Sequence, residues 1–348
     1  MREKFPIREQ DLDFYEKFEK LQKENEELKE KNKKAEEKIN ELEKEIFDLR
    51  IDLRTGLGRD IIYYRTLNKK IEESIKKYNL QSYLEKESLT EEDIKELNKI
   101  QLHIVHGDIR GLNKYNQDPE IIRCYGGEPY KAGDEILEET GKIIREIESK
   151  LNIKGFRIGG DELALLCEGL TKEEVNEIIA EFIEKQSKIE IKGADLSPAI
   201  NCGSASFAEA IEAYIKVFSV KEREEFLLSP EKQAKKIQEL FTAIAARRAM
   251  IAKCIGHLFL LTDLLATKPE IFENNICYFQ KSIFGLTKKY IKKELVPIYS
   301  DKEKMRKKVL KIVKERLEIK TTEEKKQRLK QLEVMTEIAD RILIFNKG

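Results

Sequence analysis

The chain of 348 residues is long enough to bury a sizeable core in one or two domains with accessory segments. Its charged fraction of 38% is balanced, 66 basic against 66 acidic residues, so no net basic field points to nucleic acid. The five cysteines, Cys124, Cys167, Cys202, Cys254 and Cys277, are scattered without a CxxC pair, which argues against a disulfide framework or a zinc site and fits a reducing cytoplasm.

The first residues, MREKFPIREQDLDF, lack the apolar stretch of a signal peptide. The longest apolar run, around Ile255 to Ala266, is broken by His257 and Asp263. The expectation is a soluble, cytoplasmic protein with no membrane insertion. Over residues 1–50, apolar or small residues recur in alternating steps of three and four: Phe18, Leu21, Asn25, Leu28, Asn32, Ala35, Ile39, Leu42, Ile46 and Leu49, continuing to Leu53. With Phe18 at position a, Asn25 and Asn32 also fall at a, and Leu21, Leu28, Leu42 and Leu49 fall at d. Buried Asn at a favours a parallel two-stranded register, so the segment predicts an N-terminal parallel coiled coil and a homodimer. A single charged helix lying on its own domain is the alternative.

From residue 51 the pattern changes to alternating helix and strand. Helical periodicity runs from Asp60 to Tyr78, and Leu102 to Val105 reads as a strand ending in Gly107 and Asp108. A helix follows Ala132, then hairpin strands around Phe156–Ile158 and Leu163–Cys167. A helix over Lys172–Lys188 and a strand over Ala199–Phe207 complete the set. This order predicts an α+β fold, a ferredoxin-like palm in which helices cover an antiparallel sheet. Residues 208–236 read as a helical insertion and 51–262 as the domain. Residues 263–348 form a C-terminal helical extension, with Pro230, Pro269 and Pro297 separating helices. That charged tail either contacts a protein partner or covers the palm.

The most informative stretch is the decamer RIGGDELALL, Arg157 to Leu166. Gly159 and Gly160 are expected to take the positive φ of a tight hairpin and to let a phosphate or ribose approach the backbone. Asp161 and Glu162 supply negative charge for a divalent cation. His103 and His106, three apart in one strand, point to opposite faces and read as structural.

The decamer resembles the signature of the GGDEF family, with Leu163 where the family has Phe. The resemblance covers roughly Asp52 to His257 and implies a nucleotidyl-cyclase palm that condenses two GTP molecules into cyclic di-GMP, releasing pyrophosphate. It implies Mg²⁺ held by Asp108, the Ile109 carbonyl and Asp161, and Glu162 as the acid that helps activate the 3′-hydroxyl or binds a second cation. Asn116 and Asp134 occupy the guanine-reading positions, a carboxylate being able to accept from N1–H and N2–H, a donor pair adenine lacks. The segment AARRAMIAKCIGH resembles the family's triphosphate grip, with Lys253 matching its Lys and His257 standing where Arg is expected. DLRTGLGRD resembles the family's entrance motif, retaining Asp52, Thr55, Gly56 and Leu57, with Arg59 at a usual Asn. Arg110 stands at a usual Asp or Asn, and Asn113 at a usual phosphate-binding Lys. EPYKAGD closes a guanine loop longer than the family's. The inhibitory RxxD positions hold Lys150 and Ile153, which implies no product feedback there. Three functions follow: a diguanylate cyclase, a degenerate domain serving as a dimeric GTP-binding or protein-interaction scaffold, and a cyclase making another nucleotide product.

Overall fold

The structure is a computed structural model that describes residues 22–26, 28–34, 36–38, 50–227, 229–267, 291 and 293–317. The chain divides into two units, Met1–Ile51 and Asp52–Gly348. In the first, residues 22–26, 28–34 and 36–38 are helical and exposed. Glu30 and Lys34 pair across one turn at 2.8 Å. Asn25, Leu28 and Asn32 of the predicted seam belong to this stretch, and Leu28 is 59% exposed. The seam residues Phe18, Leu21, Ala35, Ile39, Leu42, Ile46 and Leu49 lie outside the described residues. Leu53, read as the last seam position, lies in a turn instead. Asp52 holds that turn, its Oδ1 accepting from the Thr55 amide and hydroxyl, both at 2.8 Å, before Gly56 at φ 70°.

In the second unit β1 (Gly58–Arg59) leads into α1 (Asp60–Lys77), α2 (Gln81–Leu84) and α3 (Glu91–Leu97). Then come β2 (Leu102–Ile109), α4 (Leu112–Gln117), α5 (Pro119–Cys124) and α6 (Lys131–Glu148). The hairpin β3 (Ile153–Arg157) and β4 (Glu162–Glu168) is followed by α7 (Lys172–Gln186), β5 (Ile200–Ser206), α8 (Phe207–Val217), α9 (Val220–Leu227) and α10 (Pro230–Thr267). A 3₁₀ turn at Val296–Ile298 and α11 (Lys302–Leu317) both touch α10. Among the described residues, no helix is long and apolar enough to cross a membrane.

The strands form one sheet in the order β1-β3-β4-β2-β5. All neighbours are antiparallel except β1 and β3, so the sheet is mixed rather than the antiparallel one expected. The physical reason is connection length: β1 meets β3 only after six helices and a strand, which frees it from the reversed direction a tight hairpin imposes. Alternation along the strands then sends side chains to two cores. Ile104, Ala164, Leu166 and Ala205 join one with α1, α8 and α10, whereas Val105, Ile109, Leu163, Leu165 and Ile200 join the other with α6 and α7. Each such aliphatic side chain contributes about 1.5–3 kcal/mol by leaving water.

Capping boxes set three helix starts, Thr90 with Asp93 at α3, Thr171 with Glu174 at α7 and Ser206 with Glu209 at α8. The helix begun at Ser206 opens the segment 208–236, which the sequence reads as a helical insertion. Ala208, Ala210, Ile211, Ala213, Tyr214 and Ile215 are all buried in the first core, so the segment opens with a core helix. Helix α10 runs unbroken across residues 262 and 263.

Helix α10 packs directly on β5. A Cβ on Gly203 would stand 2.2 Å from the Ala249 amide nitrogen and 2.3 Å from the Ala245 carbonyl oxygen, so helix and strand touch backbone to backbone. Arg248 fastens the same junction, with Nη1 2.7 Å from the Ser204 carbonyl and both terminal nitrogens 2.8 Å from the Glu209 carboxylate. Burial pushes the Glu209 pKa up, but the Arg248 and Ser206 contacts outweigh it and hold the carboxyl below its ordinary range. Gly203→Ala forces α10 off the sheet and is expected to destabilise the chain by about 1–3 kcal/mol. The urea midpoint of unfolding measures this, and an unchanged midpoint would contradict the packing described.

Candidate functional site

The hairpin pairs Arg157 with Leu163 and leaves Ile158 to Asp161 as its turn. The Glu162 carbonyl closes it, accepting from the Ile158 amide at 2.9 Å and the Gly159 amide at 3.2 Å. Neither Gly159 nor Gly160 has positive φ, contrary to expectation. The turn is long enough to avoid left-handed backbone, and at Gly159 a Cβ would lie 2.7 Å from Glu162 Oε2, so a side chain there would displace the Glu162 carboxylate. Gly160 has open space at the same position.

What shapes the turn is Arg157, which sequence reasoning did not single out. Its Nε donates to the Gly159 carbonyl at 3.2 Å and its Nη2 to the Gly160 carbonyl at 2.8 Å. Its Nη1 reaches both Asp52 oxygens at 3.2 and 3.1 Å. The entrance loop and the hairpin are thereby joined through one guanidinium. No local signal in the sequence links positions so far apart.

The register places Asp108 opposite Glu162 on one side and Asn201 on the other, so the three share a face at one end of the sheet. The Ile109 amide donates to the Asp161 carbonyl at 2.9 Å, tying the strand end to the turn. Lys253 reaches in from α10, with Nζ 2.8 Å from Asp108 Oδ1 and 2.9 Å from Oδ2. His106 faces this cluster, its Nε2 3.9 Å from Glu162 Oε1. Burial lowers the His106 pKa despite the carboxylates of Glu162 and Asp108 nearby. Arg110 donates from Nη2 to Asn201 Oδ1 at 2.6 Å.

Among the described residues no group of three or more His, Cys, Asp or Glu side chains could hold a metal. Magnesium does not require one, since it commonly takes one or two carboxylates and completes its shell with water and substrate phosphates. Asp108 suits that role: its half-buried carboxylate already draws a cationic group onto both oxygens. Asp161 and Glu162 are partly exposed beside it.

The two base-reading candidates form a second cluster. Asn116, in α4, accepts at Oδ1 from the Gly133 amide at 3.1 Å, satisfying an amide that the first turn of α6 leaves open. Asp134 follows directly in that turn. Its Oδ2 lies 2.7 Å from Arg54 Nη2, a partner the sequence reading did not assign. Tyr130, which precedes α6, is 61% exposed and left-handed at φ 70°. Of the inhibitory-site positions, Lys150 pairs with Glu146 at 2.7 Å and Ile153 is buried. The His257 side chain and Cys277 lie outside the described residues.

Asp52 titrates as an anchor. Burial pushes its pKa up, but the Thr55 amide and hydroxyl and the Arg157 guanidinium together hold it below the ordinary value. A carboxyl lowered in the folded state contributes stability above its unfolded pKa, about 4, and loses it as pH falls through the folded value. Asp52→Asn is therefore expected to unfold at a lower temperature than wild type at pH 7, with the gap closing below about pH 4. Parallel melting curves from pH 7 to pH 2 test this, and a constant gap would refute the linkage.

Residues 94–219 match the family described as diguanylate cyclase, GGDEF domain. Three solved structures are similar at low identity. The diguanylate cyclase SiaD of Pseudomonas aeruginosa, in complex with its activator SiaC, is 14% identical, with 62% of this chain and 74% of that one covered and a TM-score of 0.31. The coiled coil and GGDEF domain of DgcB from Caulobacter crescentus, in complex with c-di-GMP, is 13% identical, with 58% and 88% covered and a TM-score of 0.40. A diguanylate cyclase/phosphodiesterase from Caldicellulosiruptor saccharolyticus is 21% identical, with 51% and 90% covered and a TM-score of 0.33. No curated protein matches the chain. Asp108, Asn116, Asp134 and the Asp161–Glu162 hairpin all lie within the matched stretch, and residues 94–219 of this chain are a GGDEF domain.

Proposed function

We propose that the chain is a diguanylate cyclase that condenses two GTP into cyclic di-GMP with release of two pyrophosphates. The observation that carries this reading is the juxtaposition of Asp108 and Glu162 across β2 and β4, with Lys253 Nζ within 2.9 Å of both Asp108 oxygens. Asp108, the Ile109 carbonyl and Asp161 would hold Mg²⁺ with the triphosphate. Bound there, the ion would polarise phosphate oxygens and lower the pKa of an attacking hydroxyl. Lys253 moves its charge from Asp108 to the phosphates as these arrive, and Gly159 and Gly160 admit the nucleotide to the turn. Asn116 and Asp134 read guanine. Glu162 takes the proton as each 3′-oxygen attacks the α-phosphorus of the GTP on the partner protomer, forming the phosphodiester as pyrophosphate leaves.

One protomer supplies one nucleotide, so the reaction requires two chains. The seam around Asn25 and Asn32 supplies the homodimer as a parallel coiled coil, raising the effective concentration of the second half-site. The setting is cytoplasmic, in keeping with unpaired Cys124, Cys167, Cys202 and Cys254. The charged C-terminal helices offer a surface to a protein partner.

Incubating the purified chain with GTP, ATP and Mg²⁺ and resolving products by mass tests the activity. Cyclic di-GMP is expected from GTP, and Asp161→Ala is expected to reduce turnover at least a hundredfold, on the order of one lost transition-state contact. Unchanged turnover in that variant would refute the assigned site. A second reading, a degenerate scaffold that binds GTP without turnover, is favoured by Asn113 in place of a phosphate-binding Lys. GTP bound in calorimetry with no cyclic dinucleotide formed would select it, and a different cyclic product would select the third.

Replacing Asn25 and Asn32 together with Asp sets like charges opposite one another in the seam. Dimerisation is expected to weaken by about tenfold or more. Sedimentation equilibrium measures this, and an unaltered dimer would refute the register.

A further inference from the structure

Arg54 holds two acidic side chains of one helix. Its Nη2 lies 2.7 Å from Asp134 Oδ2 and its Nη1 lies 3.0 Å from Glu138 Oε1, one helical turn further along α6. Two carboxylates gripping the two terminal nitrogens fix the plane of the guanidinium beside Asp134. Each terminal nitrogen carries two hydrogens, so one on each remains to donate, as does Nε–H. Asp134 in turn keeps Oδ1 and a second lone pair on Oδ2. The outcome is a composite edge, with carboxylate acceptors next to guanidinium donors. Arg54, Asp134 and Glu138 side chains are 45%, 36% and 48% exposed, so this edge is reachable from solvent.

Guanine is complementary to such an edge: its N1–H and N2–H donors adjoin the O6 acceptor. Adenine offers an acceptor at N1 beside the N6 donors, which would set N–H against N–H at Arg54. We propose that Arg54 is a specificity-determining residue that donates to guanine O6 while Asp134 accepts from N1–H and N2–H, with Glu138 the positioning residue that holds the guanidinium in place. This rests on the guanine reading of Asp134 given above and extends it to a residue outside 94–219. The Arg54 pairs do not have to break for the base to enter, because both carboxylates retain free lone pairs.

The test uses the full chain, Mg²⁺ and the non-cyclisable α,β-methylene triphosphates of guanosine, inosine and adenosine in calorimetry. Inosine keeps O6 and N1–H, so Arg54→Leu is expected to weaken the guanosine and inosine analogues by the same factor, about tenfold or more, and to leave the adenosine analogue unchanged. Glu138→Gln is expected to lower the guanosine-to-adenosine ratio by a smaller factor. An Arg54→Leu protein that binds the guanosine analogue as tightly as wild type or tighter would overturn the role of Arg54 alone, showing that the arginine only covers Asp134. Equal losses for all three analogues would overturn it too. A wild type that binds none of them would overturn the guanine reading itself, and the role of Arg54 with it.

Discussion

The contact of α10 with β5 is the constraint on which the arrangement depends. Because Gly203 has no side chain, the helix backbone at Ala245 and Ala249 lies directly on the strand. Arg248 then locks the junction to the Ser204 carbonyl and the Glu209 carboxylate. A buried ion pair of this kind adds little net stability over apolar packing, yet losing one partner costs about 3–5 kcal/mol, which makes it an effective registry device. Lys253 stands a little over one turn beyond Arg248 on the same helix, so the depth and rotation of α10 decide whether its ammonium meets Asp108. Packing in the core thus sets the electrostatics at the sheet end.

The same logic recurs at each cluster of the site. Asp108 holds Lys253, Asp134 holds Arg54, and Asp52 holds Arg157. Each of these three carboxylates is matched by a cation from a distant part of the chain, which offsets the cost of bringing them near the acids of the turn. The pairs differ in what they can yield. Arg157 is largely buried at 19% exposure and bonded also to two carbonyls, so it is a fixed tie. Lys253 is a single point charge on a flexible stem, and a charge of that type transfers readily to another anion.

Much of this was legible in the sequence. The apolar run Leu102 to Val105 ahead of Asp108 and the GGDE turn predicted strands on both sides, and the antiparallel register between them brings Asp108 opposite Glu162. Asn116 and Asp134 were legible as motif positions, and the hydrogen bond from Gly133 to Asn116 that brings α4 to the start of α6 was not. Neither Gly159 nor Gly160 takes positive φ; at Gly159 a side chain would crowd the Glu162 carboxylate, whereas Gly160 has open space, a difference the glycine pair itself does not announce. Arg54 and Arg157 were illegible in principle: charge pairs between residues far apart in sequence leave no period or local composition behind. Which core takes α8 was not legible, because a helix apolar on nearly all sides identifies itself as buried without saying which core buries it.

Helix α10 spans Pro230–Thr267, and at 1.5 Å per residue its 38 residues extend about 57 Å, well over twice the length of β5. It begins after residue 219, where the recognisable stretch stops. The unit that folds is therefore larger than the unit that is recognised. A fragment ending at 219 would keep every acidic group of the motif and lose the wall over Ile104, Ala164, Leu166 and Ala205, together with the one ammonium that Asp108 holds. Transplanting this domain into another protein means carrying its last helix along, because the motif supplies the carboxylates and α10 supplies the dry face that keeps them in register.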